Sequence, residues 1–264
     1  MNRQLIIMLL AILMVSLNGY GQNWKLTRYE VHFGGGTTHF FGDIGGTADK
    51  NNWWGLKDIS IANTGTSFYL GARYKLKQDM TLKLNLIYGK AKGKDLNTRN
   101  DERNFSFKTS IFEPSLQYEY YLVFDERRYG TPANFYNRRG MINNYSHFGV
   151  YVFAGLGAVI YSPKFSYTGS VPDPSDHWIR NSTGFTAVIP FGLGIKMAID
   201  KYWSAGFEFG RRIVLFSDYL DGLSTAYSHH NDMYYFGIFN LIYKLKTDRH
   251  GVPYIFRRYK YLGG

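Results

Sequence analysis

The sequence predicts an all-β fold, an eight-stranded antiparallel transmembrane β-barrel with its oily side turned outward, on three observations. Apolar residues alternate with polar ones in run after run, the polar sets are rich in glycine as well as charge, and the connections alternate long and short. Over 80–90, Leu82, Leu84, Leu86 and Tyr88 alternate with Thr81, Lys83, Asn85 and Gly89, the period of a strand with one oily face and one polar face. A soluble secreted β-sandwich, the alternative, buries its oily face and wets its charged one, and has no use for glycine on the wet side. A small membrane barrel inverts this, because its lumen must fit charged side chains into a narrow space where glycine makes room.

The elements follow in order. The first strand, 29–43, carries Glu30, His32 and His39, the histidines being read as packed residues. The second, 66–76, sets Phe68, Leu70, Ala72, Tyr74 and Leu76 against Ser67, Tyr69, Gly71, Arg73 and Lys75. The third is 80–90. The fourth, 104–121, has its apolar residues at odd positions early (Phe105, Phe107, Ile111) and at even positions later (Phe112, Leu116, Tyr118, Tyr120). That phase slip predicts a bulge, or a change from loop to membrane, near Phe112. The fifth strand is 147–161. The sixth, 186–199, sets Ile189, Phe191, Leu193, Ile195, Met197 and Ile199 against Pro190, Gly192, Gly194, Lys196 and Ala198. The seventh, 203–213, alternates Trp203, Ala205, Phe207 and Phe209 with Ser204, Gly206, Glu208 and Gly210, and the eighth is 234–245.

Long connections at 44–65, 91–103, 162–185 and 214–233 face tight turns at 77–79 and 200–202, the asymmetry of barrels with long outer loops and short periplasmic turns. One connection breaks the pattern. Residues 122–146 form a long segment on the turn side, with Arg127, Arg128, Arg138 and Arg139, and the tail 246–264 emerges beside it with Lys246, Arg249, Arg257, Arg258 and Lys260. These two basic, tyrosine-rich segments are either a solvated face near anionic headgroups or a periplasmic partner surface carried by Arg127, Arg128, Arg138, Arg139, Arg257 and Arg258.

The first residues have the pattern of an export signal: Arg3, an apolar run over 5–17, then Gly19 and Gly21 before Gln22. The expected domains are thus a signal peptide at 1–21, the barrel at 22–245 and a basic periplasmic tail at 246–264. The chain has no cysteine, which excludes disulfides, thiolate metal sites and a cysteine nucleophile. Its formal net charge of +11 would suit nucleic acid, but export directs that charge to membrane surface, lipopolysaccharide phosphates or an acidic protein.

With the apolar sets outward, the lumen receives Glu30, Arg73, Lys75, Lys83, Glu113, Glu119, Lys196, Glu208 and Arg212. In a barrel of about eight strands side chains fill the interior, so these groups are expected to interlock as an ion-pair network without an aqueous channel. Catalysis, if present, would lie in the loop before the last strand, which holds Asp218, Asp221, Ser224, Ser228, His229, His230 and Asp232. The spacing matches no Ser-His-Asp arrangement, and adjacent histidines in a strand point to opposite faces. We expect no catalytic residue, no metal and no cofactor.

Three stretches carry a family resemblance: HFFGDIG at 39–45, IPFGLGIKMAIDKYWSAGFEFGRRI at 189–213, and LFSDYLDGLS at 215–224. Together they resemble a family of Bacteroidota outer-membrane barrels, the group that includes the PorG component of type IX secretion. In the last motif Phe216, Ser217, Asp218, Tyr219, Leu220, Asp221 and Ser224 match the family pattern, whereas Gly222 replaces an aspartate and Leu223 a valine. The resemblance implies a non-enzymatic protein in the outer membrane of a Gram-negative bacterium. Its implied partners are outer-membrane lipid, lipopolysaccharide and a periplasmic ring lipoprotein complex, with no nucleic acid or soluble cofactor. A small barrel enzyme modifying outer-membrane lipid, or a barrel with a purely structural role, stands as the alternative.

Overall fold

A computed structural model of the chain describes residues 27–42, 44, 63–95, 104–123, 148–167, 177–200, 202–225, 232–248 and 252–257. Its strands are β1 (Tyr29–Phe41), β2 (Gly65–Lys75), β3 (Met80–Lys94), β4 (Phe105–Val123), β5 (Phe148–Tyr167), β6 (His177–Ile179), β7 (Gly184–Ala198), β8 (Trp203–Val214), β9 (Leu223–Thr225) and β10 (Met233–Lys244). Eight of them close into one antiparallel barrel in the order β1-β10-β8-β7-β5-β4-β3-β2, and β6 pairs with β9 in a separate ribbon. The barrel is sealed by the first and last strands, paired from Glu30↔Lys244 to Phe41↔Met233. Closure leaves no unpaired edge, so every barrel strand has its backbone groups satisfied on both sides.

Two short connections, 76–79 and 199–202, mark one end of the barrel, which we call the turn end. There the Met80 carbonyl accepts from the Leu76 and Lys77 amides, and the Trp203 carbonyl accepts from Ile199 and Asp200. The loop end carries the connections between β1 and β2, β3 and β4, β5 and β7, and β8 and β10. Several strands run further toward the loop end than the alternation alone predicts: β3 reaches Lys94 and β5 reaches Tyr167.

Side chains alternate inward and outward along the barrel strands, the inward ones being mostly polar or glycine toward the turn end and largely apolar toward the loop end. Outside lie Phe68, Leu70, Leu84, Leu86, Leu116, Leu156, Leu193, Met197, Phe239 and Leu241, all exposed. On β4 the outward side chains from Phe112 to Leu122 span ten steps. At about 3.3 Å per step and a tilt near 45°, these cover roughly 23 Å of height, close to the apolar band of a membrane barrel.

Of the two expected causes of the phase slip, the bulge near Phe112 is not there. β4 pairs with β3 without interruption from Met80↔Tyr120 to Lys94↔Ser106, and its odd residues from Phe105 to Tyr121 point inward. The irregularity falls instead between Tyr121 and Val123, at the turn end. The phase slip in the sequence has another cause, a change of lumen chemistry: Glu113, Ser115, Gln117 and Glu119 line the lower part of the strand, and Phe105, Phe107 and Ile111 the upper part.

Candidate functional surfaces and the filled lumen

The barrel interior is built in two storeys. Toward the turn end, Arg73 on β2 is the hub. Its guanidinium meets Glu119 of β4 (Nε–Oε2 2.6 Å), Glu30 of β1 (3.0 Å) and Glu208 of β8 (3.7 Å). Lys83 of β3 bridges Glu119 and Glu208, 2.8 Å from each, while Lys75 and Lys196 sit 3.1 and 2.8 Å from Glu30. Tyr151 of β5 donates to Glu208 at 2.7 Å, and the Asn240 amide of β10 donates to the same carboxylate at 3.4 Å. Every barrel strand therefore contributes a side chain to one buried network.

A second, smaller group lies above it. Arg212 of β8 approaches Glu113 of β4 at 3.4 Å, and Tyr234 of β10 donates to Glu113 at 2.7 Å. All nine charged residues assigned to the lumen from the sequence are buried there. Lys244 joins them, also buried. The alternation could have found it, since Lys244 continues the inward series of Ile238, Asn240 and Ile242.

Aromatic rings fill the space between the charges, over glycines. Lys83 lies 4.9 Å from the Phe153 ring centroid and Arg73 lies 5.1 Å from that of Tyr151, geometry in which a cation is attracted by the ring face. The Tyr151 ring lies against the backbone of Gly194, where a Cβ would collide with it. Glycine on the inner face thus sets where a large ring can go.

The upper storey is apolar. Ile87, Ala91, Phe105, Phe107, Ile111, Val159, Val188, Val214, Phe236 and Ile238 form one cluster, closed at the top by Leu220 and Leu223. These leucines belong to LFSDYLDGLS, which folds back over the barrel mouth. The Thr109 hydroxyl donates to the Leu220 carbonyl (2.5 Å), the Asp232 carboxylate accepts from the Leu220 amide (2.8 Å), and Asp221 accepts from the Leu223 amide (2.9 Å). Ser224 donates to Asp218 at 3.0 Å, and the hydroxyls of Tyr161 and Ser217 share a 2.5 Å hydrogen bond. Gly222 adopts φ +84°, a left-handed conformation that glycine takes without steric cost, and its carbonyl accepts from the Arg180 amide. The motif therefore acts as one clasp: Leu220 goes down into the barrel with Tyr219 packed partly against it, Asp218, Asp221 and Ser224 tie the turn, and Phe216 stands exposed beside it.

A half-open cavity of about 330 Å³ lies beside the clasp, lined by Tyr161, Arg180, Phe185, Ser217, Asp218 and Tyr219 among others. Among the described residues, no group of three His, Cys, Asp or Glu side chains could hold a metal ion. Ser228, His229 and His230 lie outside the described residues, as do 1–26, Arg127, Arg128, Arg138, Arg139, Arg249, Arg258 and Lys260.

At the turn end the chain continues past β10 into a hooked tail. The Leu245 amide bonds the Tyr29 carbonyl, the Lys246 ammonium sits 4.7 Å over the Tyr202 ring, and Thr247 bridges Pro253 in a narrow hairpin that leads into one helical turn, α1 (Tyr254–Arg257). Val252, Tyr254 and Ile255 stand exposed on this hook.

No protein-family model matches the chain, and no curated protein matches its sequence. Among solved structures it is similar to the attachment invasion locus protein Ail of Yersinia pestis in complex with the heparin analogue sucrose octasulfate, with TM-score 0.41 and 10% identity over 82% of this chain and 97% of that one. It is similar as well to Neisserial surface protein A (NspA), with TM-score 0.42 and 11% identity over 82% and 97% of the two chains. A major outer membrane protein from Thermus thermophilus gives TM-score 0.41 and 11% identity over 81% and 98%.

Proposed function

We propose that the chain is an outer-membrane barrel without enzymatic activity, which holds a periplasmic assembly against the membrane at its turn end. The observation that carries the location is the outward apolar belt wrapped around a charged interior, since exposed leucine and phenylalanine in such number are stable only against hydrocarbon. The two storeys of the lumen argue against a role in diffusion: an ion-pair network below and an apolar plug above fill the interior with side chains.

The scaffold role rests on the turn end. The hook presents Val252, Tyr254 and Ile255 close to Lys246, an apolar spot beside a cation that suits an acidic protein surface with an aliphatic patch. Arg127, Arg128, Arg138, Arg139, Arg257 and Arg258 would extend the same basic face. The resemblance to the PorG-containing family makes a ring lipoprotein of type IX secretion the partner we propose, with outer-membrane lipid and lipopolysaccharide around the belt.

The test is photo-crosslinking in the native host from a reactive group placed at Tyr254. Capture of a periplasmic ring lipoprotein supports the scaffold reading. A correctly inserted barrel that captures none, together with cargo secretion unchanged by charge reversal at Arg138, Arg139, Arg257 and Arg258, would sink it.

A further inference from the structure

The outward face of β3, β4 and β5 changes abruptly above the apolar belt. Tyr88, Phe112 and Ile160 lie side by side in register as its last apolar row. The next outward row is Lys90, Ser110 and Ser162, then Lys92, Lys108 and Lys164, then Lys94, Ser106 and Ser166. Five lysines and four serines thus form a three-by-three grid on three adjacent strands. All five lysines are exposed.

This arrangement costs stability if nothing binds it. Lys92, Lys108 and Lys164 face one another directly across the strands, roughly 5 Å apart at the backbone, where like charges repel. No carboxylate pairs with any of the five among the described residues. The interleaved residues are serines, which supply hydroxyl donors without covering the ammonium groups. Along a strand tilted near 45°, the three rows rise from about 5 to 14 Å above the belt, the depth of the headgroup layer and just beyond it.

We propose that this grid is a binding surface for the phosphate groups of lipopolysaccharide in the outer leaflet, with the acyl chains lying against Tyr88, Phe112 and Ile160 directly below. The proposal rests on the outer-membrane reading above and adds a ligand and a site to it. Charge complementarity selects phosphate, and continuity with the apolar belt selects a phosphate that carries acyl chains over a free anion.

The experiment uses the full chain purified in detergent, with fluorescent lipopolysaccharide as the probe. Dephosphorylated lipopolysaccharide and inorganic pyrophosphate are the comparison ligands, and barrel folding is checked by a heat-modifiable gel band. The triple variant K92Q/K108Q/K164Q is expected to bind about tenfold more weakly, allowing for screening of exposed charges. K92R/K108R/K164R and the turn-end control Lys77→Gln should bind as the parent does. If the triple glutamine variant does not fold, Lys108→Gln alone is read, with a smaller loss in the same direction. Equal binding of the parent and glutamine variants, or equal binding of phosphorylated and dephosphorylated lipid, overturns the proposal. Competition by pyrophosphate at lipopolysaccharide-like concentrations overturns the lipid source. A parent barrel that inserts into lipid but ignores phosphate fails this inference alone; a chain that never inserts fails the membrane reading and this site with it.

Discussion

Arg73 is the residue on which the lower storey depends. Buried ion pairs are held against a large desolvation cost, so removal of one partner weakens the compensation of every charge it met. Arg73 bridges Glu30, Glu119 and Glu208 at once, and although Lys75 and Lys196 also hold Glu30 and Lys83 also holds the other two, its loss breaks three buried contacts together. Arg73→Met should therefore destabilise the barrel by about 3–5 kcal/mol, the range for breaking a buried pair. Tyr151→Phe, which deletes one donor to Glu208, should cost about 1.5–3 kcal/mol, as for a hydrogen bond to a charged group. Denaturant unfolding of the detergent-solubilised barrel checks both, and equal midpoints for Arg73→Met and the parent would show that the network is not stabilising. Alternation alone puts these charged groups in the lumen, because burial follows a period of two. Which carboxylate each cation meets depends on the register between strands up to 166 residues apart, as in Lys196 and Glu30, and no local pattern encodes that.

At the scale of elements, the clasp 215–224 is the part least legible from sequence. Its aspartates look like ligand-binding groups when the motif is read as a string, but in the fold Asp221 accepts the Leu223 amide and Asp218 the Ser224 hydroxyl, and Leu220 and Leu223 are the working ends. Gly222 suits the left-handed turn at that position. Leu220→Ala should cost about 2–5 kcal/mol by opening a void in the upper storey. Because the lower storey remains, the heat-modifiable band should persist with a lower transition temperature, while protease cleavage of the β8–β10 connection should accelerate. Unchanged cleavage would mean that the leucine does not hold the loop down. β4 teaches the same lesson from the other side: the odd-to-even switch of its apolar residues is indistinguishable from a bulge until the height at which the lumen turns apolar is known.

At the scale of the whole molecule the protein is a sealed post: a belt for lipid, an interior filled by ion pairs and apolar side chains, a basic hook at the turn end and a lysine grid at the loop end. The fold class, the eight barrel strands and the inward and outward faces follow from local alternation, which is strong when strands are long and one side is uniformly apolar. The hook and the β6–β9 ribbon depend on contacts between segments far apart in the chain, and escape such a reading.

Everything proposed for this barrel requires that the even-numbered residues of β3 between Leu82 and Tyr88 face lipid while the odd-numbered ones face a packed lumen. The chain has no cysteine, so single substitutions from Leu82→Cys to Tyr88→Cys give clean attachment points for a spin label. In lipid vesicles, collision with dissolved oxygen should be high at positions 82, 84, 86 and 88 and low at 83, 85 and 87, with water-soluble reagents excluded from both sets. Access of a water-soluble reagent to the even set, or a protein that stays monodisperse without detergent, would contradict the account.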